Sequence, residues 1–533
     1  MSLSPRKQTF IQGAMILLAA GLVNRLLGFV PRIALPRLIG AEGVGLVQLV
    51  FPFFIVVLTI ITGGLPLAVA KLVAAADSRG AADEAVRIRR TAMAIALTAS
   101  LTVGGLCLVL SDWISSTLMT DPRVHTAFLA IIPVIPLVAV SAVWRGYFQG
   151  KQDMLPTAVS QTVETVVRIA LSLTLAYLLL PWGLEAAAAG AMIGTGAGEL
   201  AGLVALWLHL RGEGKPDGHT NPAERTTNRT NAERSPSFVQ RQPGHGRALL
   251  KIALPVTGSR MIGSLSYLFE SILTTRALIA AGLAAAAATA QYGILQGMVI
   301  PLLLLPGTLT FSLATSLVPS LSEAAARGDR AAIQKRLHQS MRLALVTGAP
   351  FIILMALFAQ PICELIYDDP DAGAMLGLLA PAAVFLYMQA PLQAALQALD
   401  RPGTALFNTF VGALVKLILI LQLASKPELG IRGAVIAIGA NMALVTLLHW
   451  ISVVRLTGFR VLPSDFIKIG AAMTVMGAVA LWIWNAGRLP GAALDLIAAG
   501  TASIVVYLLL LVAMRLVDRD DAARIPIIGR LFR

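Results

Sequence analysis

Charged residues are scarce in this sequence, and what is missing excludes several classes of protein. Only 13% of the 533 residues are Asp, Glu, Lys or Arg, whereas soluble domains have about a quarter. The two cysteines, Cys107 and Cys363, give neither a disulfide framework nor a zinc motif, and the six histidines show no metal-ligand spacing. A Walker A motif is also missing. We therefore expect no metal ion, no cofactor and no ATP hydrolysis by this chain.

Long hydrophobic runs occupy most of the chain, and 57% of all residues are hydrophobic. A helix needs about 20 predominantly apolar residues to cross a bilayer, and such windows recur along the sequence. The sequence thus predicts an all-α polytopic membrane protein with about fourteen transmembrane helices, while 281–291 fits either a loop or a helix. The predicted helices are 10–30, 44–65, 91–111, 127–148, 157–180, 186–210, 249–280, 291–318, 341–366, 375–399, 404–424, 431–454, 466–486 and 492–514.

Membrane topology explains the net charge of +14 better than nucleic-acid binding does. Basic residues gather in cytoplasmic loops, where they orient the protein and rest on anionic lipid, and no folded basic domain is present. With the N-terminus in the cytoplasm, the inside stretches hold 31 of the 42 Lys and Arg residues and the outside loops hold 6. Both termini are therefore predicted to be cytoplasmic. No outside loop is long enough to house a catalytic domain, so a transporter is predicted rather than an enzyme.

A polar segment without helical periodicity, residues 211–247, interrupts the pattern after six predicted helices. It predicts a cytoplasmic linker between an N-terminal lobe, 1–210, and a C-terminal lobe, 248–455. Two additional helices and a cytoplasmic tail then occupy 456–533.

The two predicted lobes resemble each other weakly but in order. The pair Arg79-Gly80 recurs as Arg327-Gly328 at a shift of 248 residues. With six spans in each lobe, both lobes begin on the same side of the membrane and cross it in the same direction. The lobes are therefore predicted to be parallel repeats around an axis along the membrane normal. Three further correspondences are Gln149 with Gln397, Arg168 with Lys416, and, at a shift of 235, Arg25 with Arg260.

Eight charged residues lie away from the ends of the predicted spans, where each costs about 2.5–3.5 kcal/mol on insertion scales. Residues of this kind usually face a bundle interior or a water-filled cavity. The eight are Arg25, Glu164, Arg168, Glu199, Arg260, Glu270, Arg276 and Lys416.

Arg25 and Arg260 occupy matching places in the first helix of each lobe. The predicted pseudo-twofold would bring them to opposite walls of one central cavity. A guanidinium group suits a phosphate because its planar fork donates two parallel hydrogen bonds and keeps its charge. The alternative for Arg25 is that its side chain reaches the membrane interface.

For the other charged residues, pairing within the protein is an alternative to contact with the cargo. Glu164 and Arg168 are one helical turn apart, which predicts an internal ion pair that can also line the cavity. Lys416 has no acid in its own helix and needs a partner from elsewhere or from the ligand. Glu270 is predicted to balance Arg260.

Two glutamates and five cations thus receive predicted roles in a cavity. Glu199 lies among small residues in GTGAGEL, which favours a structural hydrogen bond between closely packed helices. The predicted set is Arg25, Arg260, Lys416, Arg168 and Arg276 for a diphosphate, Glu164 and Glu270 for charge balance or coupling, and Asn24 and Glu199 in secondary roles.

Three stretches resemble a known family: LGFVPRIALPRLIGAEGVGL, RGYFQGKQDMLPTAVSQTVETVVRI and GSRMIGSLSYLFE. They are similar to the stage V sporulation protein B group of the multidrug/oligosaccharidyl-lipid/polysaccharide exporter superfamily, and the likeness extends from about residue 7 to about residue 455.

The resemblance implies two six-helix lobes around a cavity, and an activity that flips an undecaprenyl-diphosphate-linked sugar across the cytoplasmic membrane. A related lipid II flippase has a cavity arginine in a segment resembling NRLLGF, which implies the same role for Arg25. The sporulation group implies a precursor of spore-cortex peptidoglycan as cargo, a location that includes the outer forespore membrane, and cell-wall synthesis proteins as partners.

Three alternatives stay open from the sequence. A cation-coupled multidrug or polysaccharide exporter of the same superfamily would need an acidic or aromatic cavity, whereas basic residues outnumber acidic ones in the spans by 5 to 3. An enzyme acting on lipid-linked sugars would need an outside loop with paired carboxylates. A scaffold for cortex assembly that transports nothing would not need intramembrane charges at equivalent positions of the two repeats.

Overall fold

The structure is a computed structural model that describes residues 10–213, 244–460, 463–487 and 490–516, and every regular element in these ranges is helical. Twelve helical stretches are long and apolar enough to cross a membrane. The first, Met15–Ser78, contains the predicted span 44–65 and most of the predicted span 10–30. The predicted span 249–280 is a continuous helix that carries Lys251, Arg260, Glu270 and Arg276 and is not among the twelve. The predicted fold class is confirmed.

The chain divides into two compact units, one of residues 1–39 and 49–268 and the other of residues 40–48 and 269–533. Most of the predicted linker, residues 214–243, and the tail from residue 517 lie outside the described residues. The predicted lobe boundaries stay a prediction.

The first unit is built from long helices joined by short turns. Its helices are α1 (Phe10–Leu27), α2 (Phe29–Thr62, without 40–48), α3 (Leu65–Ser78), α4 (Ala82–Val109), α5 (Val124–Ile131), α6 (Val134–Gly150), α7 (Leu155–Leu179), α8 (Leu184–Glu213) and the first part of α9 (His245–Ala280).

The predicted loop 31–43 is helical, so this part of the sequence prediction is wrong. Pro31 lies in the first turn of α2, where its missing N–H is not needed. Pro36 lies inside the helix, and Gly40 breaks it with φ 69°. An apolar chain in a membrane satisfies its backbone by continuing the helix around such a break.

Helix α3 was not predicted, because it is shorter than a membrane span. Its buried residues are spaced as one stripe of an amphipathic helix, and Pro66 occupies the first turn, where a proline is tolerated. The stripe consists of Leu65, Ala68, Val69, Val73 and Ala76.

Helices α7 and α8 pack closely along a row of glycines. A Cβ atom on Gly194 would lie 2.2 Å from the backbone nitrogen of Ser172, and one on Gly190 would lie 2.7 Å from the carbonyl oxygen of Leu175. The Ser172 hydroxyl donates to the carbonyl of Ala191 at 2.9 Å. Small residues of this kind let membrane helices approach at backbone distance.

We expect Gly194→Ala to destabilise the protein by about 1–3 kcal/mol, because the added methyl group must push α7 and α8 apart. Gly105→Ala in the last turns of α4 is the matched control, since a Cβ there meets nothing within 4 Å. Thermal unfolding in detergent compares the two variants. Equal unfolding temperatures would contradict the close packing.

The second unit contains the remaining helices. They are α10 (Ala285–Gly293), α11 (Ile300–Leu304), α12 (Gly307–Ala326), α13 (Arg330–Leu357), α14 (Ala359–Tyr367), α15 (Pro370–Leu379), α16 (Ala383–Ala398), α17 (Pro402–Leu423), α18 (Ile431–Thr457), α19 (Pro463–Ala486) and α20 (Ala492–Ala513). The ambiguous segment 281–291 is thus helical from residue 285 onward.

Buried tyrosines tie the helices of the second unit together. The hydroxyl of Tyr387 donates to the carbonyl of Leu303 at 2.9 Å, and that of Tyr507 donates to the carbonyl of Val346 at 3.1 Å. Tyr507 lies on α20, so the last helix pair is packed against α13 rather than standing apart.

Local turns recur at the shift that the sequence repeat predicts. Gly80 and Gly328 follow α3 and α12 with φ of 70° and 66°. In both turns the residue after the glycine donates its N–H to the carbonyl five residues earlier, at 3.0 Å. Gln152 and Asp400, also 248 residues apart, have φ of 59° and 56° and the same bond pattern, at 3.1 and 2.8 Å. These equivalent turns support the register of the repeat.

Candidate functional site

Five of the eight charged residues predicted inside the spans lie in two clusters of ion pairs, one in each unit, and the other three are exposed arginines. The first cluster contains Arg145, Glu164, Arg168 and Glu199. The second contains Glu270, Gln296 and Lys416. The exposed arginines are Arg25, Arg260 and Arg276.

The first cluster links three consecutive helices of the first unit. Arg145 of α6 places Nη2 at 2.7 Å from Oε2 of Glu164 on α7, and at 3.7 Å from Oε1 of Glu199 on α8. Arg168 Nη1 donates to the other oxygen of Glu164 at 2.9 Å, which confirms the predicted ion pair one turn apart. Two positive and two negative groups leave the cluster neutral.

Glycines allow α8 to reach this cluster. A Cβ on Gly198 would lie 2.6 Å from Cβ of Arg168, and one on Gly202 would lie 3.0 Å from Cβ of Glu164. The small residues of GTGAGEL therefore do pack helices closely around Glu199. Glu199 itself is 6% exposed and faces the guanidinium of Arg145.

Arg145 was missed by the sequence reasoning, although it is central to the cluster. It lies in RGYFQG near the end of α6, three residues before the end of the predicted span 127–148. Its side chain is 18% exposed. A hint was present: Glu164 and Glu199 are two intramembrane acids, and Arg168 alone cannot neutralise both.

The second cluster joins distant parts of the sequence within the second unit. Lys416 of α17 donates to Oε2 of Glu270 on α9, and Gln296 Nε2 donates to Oε1 of the same carboxylate at 2.7 Å. Gln296 lies in a π-helical stretch, Ile294–Val299, which changes the helical register there. The Lys416 and Glu270 side chains are 11% and 9% exposed.

This pairing changes the prediction made for Glu270. It was expected to balance Arg260, but its two oxygens are occupied by Lys416 and Gln296. Lys416 thus has a protein partner and does not depend on a ligand for its neutralisation. The sequence could not reveal this, because 146 residues separate the pair.

Arg25 is exposed and lies in the last turn of α1, where a cation is favourable to the helix dipole. The helix stops two residues later, and the N–H of Gly28 donates to the carbonyl of Asn24 at 2.9 Å. The side-chain oxygen of Asn24 is buried and accepts no hydrogen bond among the described residues. The exposed guanidinium of Arg25 and the buried oxygen of Asn24 thus belong to neighbouring residues at the end of α1.

Arg260 and Arg276 are both exposed on α9, but they cannot serve one small group together. Sixteen residues of helix put them about 24 Å apart along the axis and about 160° apart around it. Arg260 has no carboxylate within 4.0 Å among the described residues. A single diphosphate can therefore contact one of the two, not both.

The cations thus fall into two chemical kinds. Arg145, Arg168 and Lys416 are held by glutamates in neutral clusters, whereas Arg25 and Arg260 present exposed guanidinium groups. An exposed guanidinium can donate a bidentate pair of hydrogen bonds to phosphate. Glu164, Glu199 and Glu270 each have a cation within 4.0 Å and are not available as lone anions for a cationic ligand.

The helical fold is that of a multi-pass membrane protein, and the sequence comparisons place it among the transporters of the exporter superfamily named above. Residues 10–325 match the family described as polysaccharide biosynthesis protein, and residues 263–421 match the MatE family. The chain is 40% identical to stage V sporulation protein B of Bacillus subtilis over 98% of this chain and 99% of that protein. The chain belongs to the stage V sporulation protein B group of this superfamily.

Two further comparisons agree. The lipid II flippase MurJ of Bacillus subtilis is 24% identical over 90% of this chain and 89% of that protein. A solved structure of lipid II flippase MurJ in an inward closed conformation superimposes with a TM-score of 0.68 at 15% identity, covering 94% of this chain and 99% of the other. The solved structure shows the shared fold.

Proposed function

We propose that the protein flips lipid II, an undecaprenyl-diphosphate-linked saccharide, across the cytoplasmic membrane by alternating access. The full-length likeness to stage V sporulation protein B and the similarity to a lipid II flippase support this cargo. The proposal includes two parallel lobes, cytoplasmic termini and work for the spore cortex at the outer forespore membrane.

The observation that carries the proposal is the exposure of two arginines that lie in predicted spans. Arg25 and Arg260 are exposed, although a charge in a span is expensive unless it faces protein, water or a ligand. A diphosphate carries the charge and the oxygen acceptors that two guanidinium groups can bind.

Export of cationic drugs is the main competing function, and the ion pairs disfavour it. A cation needs an anionic or aromatic partner. Glu164, Glu199 and Glu270 each lie within 4.0 Å of a protein cation. Binding a drug cation there would first require one of these pairs to break.

Binding to the purified protein tests the class of cargo. Lipid II and undecaprenyl diphosphate are expected to raise the unfolding free energy by about 2.7 kcal/mol at a hundredfold excess over Kd, because both carry the diphosphate. Undecaprenol, which has the same tail without phosphate, is the matched control. Stabilisation by a lipophilic cation, with none by lipid II, would replace this proposal with drug export.

A further inference from the structure

A pocket of about 540 Å³ lies at one end of the first unit, between α4, α6 and α8. Its rim carries Arg89, Arg90 and Arg211, and its other wall residues include Trp144, Trp207 and Leu97. All the lining residues belong to the first unit. The pocket contains none of the charged residues discussed so far.

Aromatic side chains orient two of the three arginines. The guanidinium carbon of Arg211 lies 3.6 Å from the ring centroid of Trp207, and that of Arg89 lies 4.7 Å from the ring of Tyr147. Stacking on a ring fixes a guanidinium plane and leaves its edge N–H groups for an acceptor. Among the described residues, no carboxylate oxygen lies within 4.0 Å of these three guanidinium groups.

The pocket changes from charged to apolar along the helices. On α4 the lining runs from Arg89 and Arg90 through Met93 to Leu97, a depth of about 10 Å. On α6 it is formed by Val140 and Trp144, one turn apart. The three cations can bind a phosphate headgroup. The apolar wall beside them can contact the first part of an acyl chain.

The helix ends that carry the rim are those predicted to face the cytoplasm. There, basic pockets between transmembrane helices suit the anionic lipids of the inner leaflet. Arginine and tryptophan are also the residue types that favour the membrane interface. A lipid already present in the leaflet can enter sideways between α4 and α8.

We propose that this pocket is a binding site for one anionic glycerophospholipid, held by its phosphate through Arg89, Arg90 and Arg211. The site is separate from the arginines assigned to the transported diphosphate. The bound lipid fastens the ends of α4, α6 and α8 to one another.

Native mass spectrometry of the full chain in detergent, titrated with phosphatidylglycerol, tests the site. Wild type is expected to retain one phosphatidylglycerol and no phosphatidylcholine. Replacing Arg89, Arg90 and Arg211 together by Gln should weaken that binding about a hundredfold, given the attraction of each basic residue for an anionic leaflet. Arg87→Gln is the matched control, because Arg87 is exposed on the same helix outside the pocket.

A second variant tests the site independently, in case the triple variant misfolds. Val140→Trp fills the apolar wall and leaves all three arginines in place, and it should also release the lipid. Three results would overturn the proposal: equal retention by wild type and both variants, competition by inorganic phosphate at the lipid's own concentration, or displacement by equimolar lipid II. The last result would assign the pocket to the transport route and leave the proposed cargo intact.

Discussion

Replacing both Arg25 and Arg260 by alanine is expected to slow lipid II flipping by about 100-fold or more in proteoliposomes. Each arginine contributes charge-assisted hydrogen bonds to the diphosphate, worth about 1.5–3 kcal/mol apiece, and every 1.4 kcal/mol is about a factor of ten. Folding should be unaffected, because both side chains are exposed. Thermal unfolding of the variant checks this point.

Lysine substitutions test whether the planar geometry of the guanidinium group matters in addition to its positive charge. Arg25→Lys with Arg260→Lys keeps both charges but loses the planar fork, so partial activity is expected. Arg327→Ala is the matched control, since this arginine is 74% exposed and forms only a surface pair with Glu323 at 2.7 Å. Full activity of the double alanine variant would mean that these arginines do not bind the cargo.

Lys416→Met is expected to reduce the free energy of unfolding by about 3–5 kcal/mol, because it leaves the carboxylate of Glu270 buried without its cation. Adding Glu270→Gln should restore most of the lost stability. The amide removes the unpaired charge and still accepts a hydrogen bond from Gln296. Chemical or thermal unfolding of the three proteins in one detergent measures both effects.

Arg168→Met in the first unit is the comparison for this variant. Arg168 and Lys416 are repeat-related, but the Arg168 side chain is 37% exposed and Arg145 remains at 2.7 Å from Glu164. Its loss should therefore be milder than the loss of Lys416. If Lys416→Met unfolds like wild type, the buried pair does not hold α9 and α17 together.

The hydrophobic runs predicted most of the helices, because each run depends only on the local sequence. Runs near 20 apolar residues must become helices in a bilayer, where no other single segment satisfies its backbone. Gly80 and Gly328 marked equivalent turns, since their positive φ suits glycine. Helix α3 escaped prediction because fourteen residues are too few for a span.

The pairing of charges was harder to predict, because it depends on contacts between helices. Glu164 and Arg168 lie in one helix, and their spacing alone indicated the ion pair. The partnership of Glu270 with Lys416 arises only when α9 and α17 pack together. Arg145 lies near the end of α6, and the sequence does not show whether such an arginine points into the bundle.

The most direct test of the proposed activity is the fate of labelled lipid II in liposomes with and without the wild-type protein. The label is placed on the headgroup and destroyed by a reagent that cannot cross the membrane. Protein-free liposomes should keep about half of the signal, because lipid II occupies both leaflets. With the protein, nearly all of the label should become accessible. A signal that stays near one half, from protein that is folded and still binds lipid II, would contradict flipping.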